Sequence, residues 1–222
     1  MQSRCFEDYP EGAQQILLVA EKLFGDHGLT GVSLRQITTA AGQANNSIIH
    51  HYFGSRAGLV QAVYEMRLPA LDRDRQKLLD AFSSEGDPTV DQLFGALVLP
   101  ILMIKDRVTR ERFSMFSAQV TNLPLEHDPF PAALRIMPAA REINRQILVK
   151  MALSAEITDV RLRLASRAFV TGVADFTRIK SLPHATEDWE TGYWAHLFGL
   201  SCAILKAPYP SQPLPYPMTP GP

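Results

Sequence analysis

Cysteine is nearly missing: 222 residues hold two, Cys5 and Cys202, at opposite ends and with no metal-ligand spacing around them. That excludes a disulfide scaffold, argues against a zinc site and points to a reducing compartment. Long apolar runs are lacking too. The greasiest stretch, Leu97 to Ile104, is interrupted by Pro100 and followed by Lys105. It falls well short of the roughly 18 to 20 residues that cross a bilayer. The opening residues, MQSRCFEDYPEG, carry acidic groups and no apolar core, unlike a signal or transit peptide. The expected location is the cytoplasm, with no membrane partner. Neither sign of charge dominates, since the formal net charge is -1. Catalytic signatures are absent as well: there is no G-x-S-x-G elbow, no H-E-x-x-H and no P-loop. Gly25, Gly28 and Gly31 have no strand before them and read as a helix stop and turn. Adjacent His50 and His51 would diverge by about 100° on a helix, a poor metal pair. No catalytic residue, metal or cofactor is expected.

What is present is helical periodicity. With 46% hydrophobic residues the chain can build a substantial core without staples. Ile16, Leu17, Ala20, Leu23 and Phe24 share one face of a first helix ending at Gly28. Ser33 and Gln36 have capping-box spacing for a second, short helix through Ala40. Gly42 supplies a turn, a third helix is expected over about 44–51, and Ser55 caps a long fourth helix, interrupted or kinked near Pro69. After SSEGDP, Thr89 and Gln92 repeat the capping box and open a helix to about Lys105. Further helices are expected near 109–121, 131–153, 157–181 and 187–206. The expected fold class is all-α, in three parts: an N-terminal helix-turn-helix unit over residues 1–60, a larger helical unit over 61–206 joined to it by a long helix, and a proline-rich tail over 207–222 read as disordered.

Two short helices joined by a glycine turn form the pattern that lays a second helix in the DNA major groove. Leu34, Ile37, Ala41 and Ile48 are the inward positions. Gln43, Ala44, Asn45, Asn46 and Ser47 would form the reading end, where amides and a hydroxyl can bond base edges. The same residues also suit a solvated helix start. From His27 to Tyr64 there is no Asp or Glu, while Arg35, Arg56, His27, His50 and His51 occur there. Phosphates would therefore meet no repulsion. Two arginines make a modest surplus, so binding would need a dimer and backbone N–H contacts. Arg56 is read either as a phosphate contact or as an ordinary surface arginine.

The run ILLVAEKLFGDHGLTGVSLRQITTAAGQANNSIIHHYFGSRAGL, residues 16–59, resembles the N-terminal DNA-binding domain of the TetR family of bacterial transcriptional regulators. The shared features are A-x-x-L-F-x-x-x-G from Ala20 to Gly28, Ser33 and Ile37 before Ala40-Ala41-Gly42, and the aromatic pair followed by G-S-R from Tyr52 to Arg56. The segment 42–53 is one residue longer than the commonest spacing and resembles a subgroup with an A-G-x-x-N-N-S run. Across 61–206 the likeness is only that of a helical chain. The resemblance implies a double-stranded DNA operator as partner, repression relieved by a small ligand, and DNA contacts among Ser33, Arg35, residues 43–47, His50, His51, Tyr52, Ser55 and Arg56. Ser33, Asn45, Asn46, Ser47 and Arg56 are the most direct transfers.

The last two expected helices are too apolar for half of each to face water. Val160, Leu164 and Ala168 on one, with Tyr193, Leu197, Leu200 and Ile204 on the other, would form the interface of a homodimer closed by a four-helix bundle. A monomer core sealed by neighbouring helices is the alternative. Met103, Phe113, Phe116, Met137, Phe169 and Phe176, with the polar Gln119 and Asp175, would line a site for a small hydrophobic or aromatic ligand. Plain core needs the same residue types. The competing functions are a helical protein-interaction module without DNA binding and a helical enzyme.

Overall fold

The computed structural model describes residues 6–43, 45, 47–179 and 187–208, apart from the side chains of Leu125, Arg178, Glu187 and Asp188. Ala44, Asn46, Cys5 and the tail from 209 onward lie outside the described residues. Among those described, the regular structure is helical, with no strand. Among the described residues, no helix is long and apolar enough to cross a membrane.

Helix α1 (Glu11–His27) buries Ile16, Leu17, Ala20 and Phe24 and ends at Gly28. Helix α2 (Leu34–Ala40) opens with the expected capping box: the Gln36 N–H donates to Ser33 Oγ at 3.2 Å, and the Ser33 N–H to Gln36 Oε1 at 2.7 Å. Helix α3 (Ser47–Phe53) begins about three residues later than its expected start. Ile48 is half-buried and packs against the core, and Ile49 beside it is fully buried. Gly42, at φ +70°, turns the chain in a conformation that favours glycine, and Asn45 Oδ1 then accepts the Ser47 N–H at 2.9 Å. Those turn bonds hold Gln43 and Asn45 outside the helix.

The connector is two helices rather than one. Helix α4 (Arg56–Glu65), capped by Ser55 Oγ on the Gly58 N–H, stops before Met66. Helix α5 (Leu68–Glu85) follows, with Pro69 in its first turn, where a missing N–H costs nothing. Helix α6 (Val90–Val98) has the Thr89–Gln92 capping box but ends well before Lys105. Pro100 has no N–H to continue the ladder, and residues 99–101 tighten into a 3-10 turn. Helix α7 (Arg107–Val120) is capped by Asp106. A four-residue helix α8 (Phe130–Ala133) and a 3-10 turn precede α9 (Pro138–Met151), where one helix over 131–153 was expected. Helices α10 (Ala155–Ile179) and α11 (Glu187–Lys206) complete the described part.

Packing divides these helices by partner. Helices α2, α3 and α4 assemble on α1, while α7 packs on another part of α1 and on α10. Gly25 permits the α1–α7 approach, since a Cβ there would lie 3.1 Å from Met115 Cβ and 3.2 Å from the Phe116 nitrogen. Helices α5, α6 and α9 form a second packed group, and α11 lies along α10. Asp72 of α5 is buried and accepts the Ala139 and Ala140 N–H groups, both at 3.0 Å, satisfying the start of α9.

A buried ion pair ties α1 to the break between α4 and α5. Arg67 Nε and Nη2 donate to the two Glu21 carboxylate oxygens at 3.0 and 2.9 Å, and the Glu21 side chain is 1% exposed. Removing one member strands the other in the interior. Arg67→Met is expected to lower stability by about 3 kcal/mol, and the double variant Glu21→Leu/Arg67→Met to recover most of that, in urea unfolding. A double variant no more stable than the single one would reject this account.

Candidate nucleic-acid interface

The surface around α2 and α3 is built by hydrophobic anchoring from below. Ile37 on α2 and Ile49 and Phe53 on α3 are buried with Ile16, Leu17, Phe24 and Leu59 in the core, and Phe53 meets Tyr9 at a ring-centroid distance of 5.5 Å. With those positions facing inward, Ser47, His50 and His51 face outward and are exposed. Arg35 is exposed on α2, as are Ser33 and Ser55 at the helix starts.

The expected contact residues separate into groups with different local partners. Ser33 and Ser55 are committed first to capping α2 and α4. Asn45 is exposed but holds the turn into α3. Gln43 is half-buried and lies across Gly12 of α1, where a Cβ would sit 3.2 Å from its Nε2. The imidazole Nδ1 of His50 is 3.2 Å from the Gly54 carbonyl oxygen. His51 packs edge-on against Tyr52, which is half-buried. Ala44 and Asn46 lie outside the described residues.

Arg56 differs most from its expected phosphate role. Its Nη2 donates to the carbonyls of Leu29 and Val32, and its guanidinium stacks 5.3 Å from the Phe24 ring centre. It therefore clamps the α1–α2 connection to the start of α4. No local pattern betrays this role, because its partners lie 24 and 27 residues away.

The expected ligand-lining set is also divided. The Phe116 ring faces Phe24 of α1 at 6.3 Å, and Gln119 Oε1 lies against Gly28. Phe169 and Phe176 meet rings of α11, namely Phe198 and the Trp189–Tyr193–Trp194 group. Asp175 is half-buried on α10, and Met103 is exposed. Phe113 and Met137 instead meet polar side chains of α4 and α5: Phe113 stacks on Tyr64 of α4, and Met137 Sδ accepts from Arg75 Nη1 at 3.2 Å. Tyr64 and Arg75 escaped the sequence reading, because an apolar pattern search passes over them.

The expected interface residues divide similarly. Val160, Leu164 and Leu200 are 54, 49 and 52% exposed. Tyr193 turns into its own chain, donating to the Gly172 carbonyl at 2.8 Å, and Leu197 also packs over Gly172. Ala168 and Ile204 are half-buried.

Residues 16–63 match the family model of bacterial regulatory proteins of the tetR family. The chain thus carries a tetR-type DNA-binding domain, with helices α2 and α3 as its helix-turn-helix. Comparison with curated proteins finds no match. Among solved structures, a protein from Shewanella sp. PV-4 assigned to the tetR family of transcription regulators is similar at 20% identity. The likeness has a TM-score of 0.60 and covers 88% of this chain and 96% of that one. Another, assigned to the same family and from Vibrio parahaemolyticus, is similar at 16% identity and TM-score 0.50, covering 85% and 97%. These likenesses extend the shared fold through the helices that follow the DNA-binding domain.

Arg56→Met is expected to lower stability by about 2 kcal/mol, because two carbonyls lose a charged donor. Wild-type stability in chemical denaturation would show that the clamp contributes nothing.

Proposed function

We propose that this protein is a sequence-specific transcriptional regulator that binds a two-fold operator as a homodimer and is released as a repressor by a small, largely apolar ligand. The observation that carries the reading is the tetR-type domain at 16–63, whose α3 presents Ser47, His50 and His51 as exposed residues and itself holds no carboxylate. No Asp or Glu occurs between His27 and Tyr64, so DNA phosphates approach without repulsion. Arg35 supplies an exposed cation beside α3, and Asn46 precedes its first residue in sequence.

A dimer is supported by the exposed apolar positions Val160 and Leu164 on α10 and Leu200 on α11. Water contact on three large apolar side chains of adjoining helices is costly, and a second copy removes it. Two α3 helices must then lie about 34 to 36 Å apart to enter successive major grooves. A ligand that favours another spacing must by linkage weaken DNA binding, typically by about 1 to 3 kcal/mol.

Two measurements test the proposal. In a salt-controlled titration against DNA chosen by genomic selection, Asn46→Ala should weaken specific binding by about 1 to 3 kcal/mol with the fold intact. Equal affinity would remove this residue from the interface. Leu164→Glu should convert the protein to monomers in sedimentation and lose operator affinity; a persistent dimer would place the interface elsewhere.

A further inference from the structure

Helices α10 and α11 run antiparallel. Gly172 of α10 meets Tyr193 and Leu197 of α11, and Phe176 meets Trp189. At the opposite end, Arg161 Nη1 donates to the carbonyls of Leu205, at 3.4 Å, and Ala207. Helix α11 therefore heads toward the first turns of α10, and the chain leaves it at Pro208 beside Arg161. Lys206 fixes that exit further by pairing with Asp91 of α6 at 2.6 Å.

Ahead of the exit lies the corner between α9 and α10. Ala152, in the left-handed conformation at φ 52°, ends α9, and α10 begins at Ala155. Lys150 ties this corner to Asp87, so the ends of α9 and α11 are held to the same short stretch at the start of α6. Apolar side chains collect at the corner with little cover. Val149 is 69% and Leu148 38% exposed, and Leu153 and Ile157 are half-buried. Ile157 precedes Arg161 by one helical turn, about 6 Å along the axis. These residues are distinct from Val160, Leu164 and Leu200, which the dimer reading assigns to a second copy.

The chain beyond the exit has a matching character. Residues 209–222, YPSQPLPYPMTPGP, contain six prolines together with Tyr209, Leu214, Tyr216 and Met218, and no charged side chain. Such a sequence builds no core of its own, yet its prolines reduce the backbone freedom lost when it docks on an existing apolar surface. At about 3.1 Å per residue in an extended form, it spans roughly 43 Å, several times the distance from Arg161 to Ile157. Attachment at the edge of the corner gives it an effective concentration that no separate molecule matches.

We propose that the 209–222 segment folds back over the α9–α10 corner of its own chain, laying its apolar side chains on Leu148, Val149, Leu153 and Ile157. The corner is a docking surface for an uncharged, proline-rich peptide, and the occupant is the protein's own C-terminal segment. This goes beyond the regulator reading and holds whether or not the protein binds DNA.

The test is photo-crosslinking of the full chain. Irradiation of the variant Val149→p-benzoylphenylalanine should join position 149 to the 209–222 segment, mapped by mass spectrometry. An equal mixture of unlabelled and isotope-labelled protein separates adducts within one chain from adducts between two. Gly192→p-benzoylphenylalanine is the comparison: Gly192 is exposed on α11, a Cβ there meets nothing, and Ala207 is roughly 22 Å away along the helix, within reach of a segment that does not dock. The tail adduct should be several-fold stronger from position 149 than from position 192. Adding Leu214→Ser and Tyr216→Ser to the Val149 variant should weaken it several-fold, because the docked apolar area shrinks. Equal yields from the two positions, a tail adduct formed mainly between chains, no tail adduct from position 149, or a yield indifferent to the serine substitutions would each overturn the proposal.

Discussion

The close approach of α1 and α7 is the contact on which the rest of the arrangement depends. Gly25 leaves room for the backbone of α7 at Phe116, and Phe24 and Phe116 fill the adjoining space with facing rings. Helix α1 also carries the side chains that seat α2 and α3, so one rigid rod belongs to the DNA-facing domain and to the helices behind it. The Glu21–Arg67 pair fixes that rod to the break between α4 and α5. Closely packed interiors transmit displacement rather than absorb it, so a shift of α7 or α5 must reach α1.

Charged groups inside this protein serve architecture more than surface chemistry. Arg56 closes the α1–α2 connection, Asp72 starts α9, and Arg75 gathers the end of α6, Asp72 and Met137. Each charge meets a carbonyl, a helix start or an opposite charge, as burial demands. The α2–α3 segment follows the opposite economy: it contains no carboxylate, and its exposed cation on α2 is Arg35. In the proposed complex, affinity built from so little charge would rely on shape, backbone donors and repetition of the unit.

Much of the helical plan was legible in the residues. The Ser33 and Thr89 capping boxes, the stop at Gly28 and the cap at Ser55 appear where the spacing placed them, because each is a local bond between neighbours in sequence. Local reading failed where two signals competed. Polar residues after Gly42 resemble a helix start, yet the Asn45 side chain bonds the chain into a turn and delays α3 to Ser47. Leu97 to Ile104 reads as continuous helix until the missing N–H of Pro100 intervenes.

The amino-acid order alone therefore determined the helices, their caps, the carboxylate-free stretch and the motif that marks 16–63, since all of these act over a few residues. Which helix faces which was settled only by three-dimensional packing. Arg56 finding Val32, Arg67 finding Glu21, and Tyr64 stacking on Phe113 all join positions distant along the chain or on separate helices. Such partners are selected by the shape and desolvation of the assembled core, quantities that a periodic pattern of side chains does not contain.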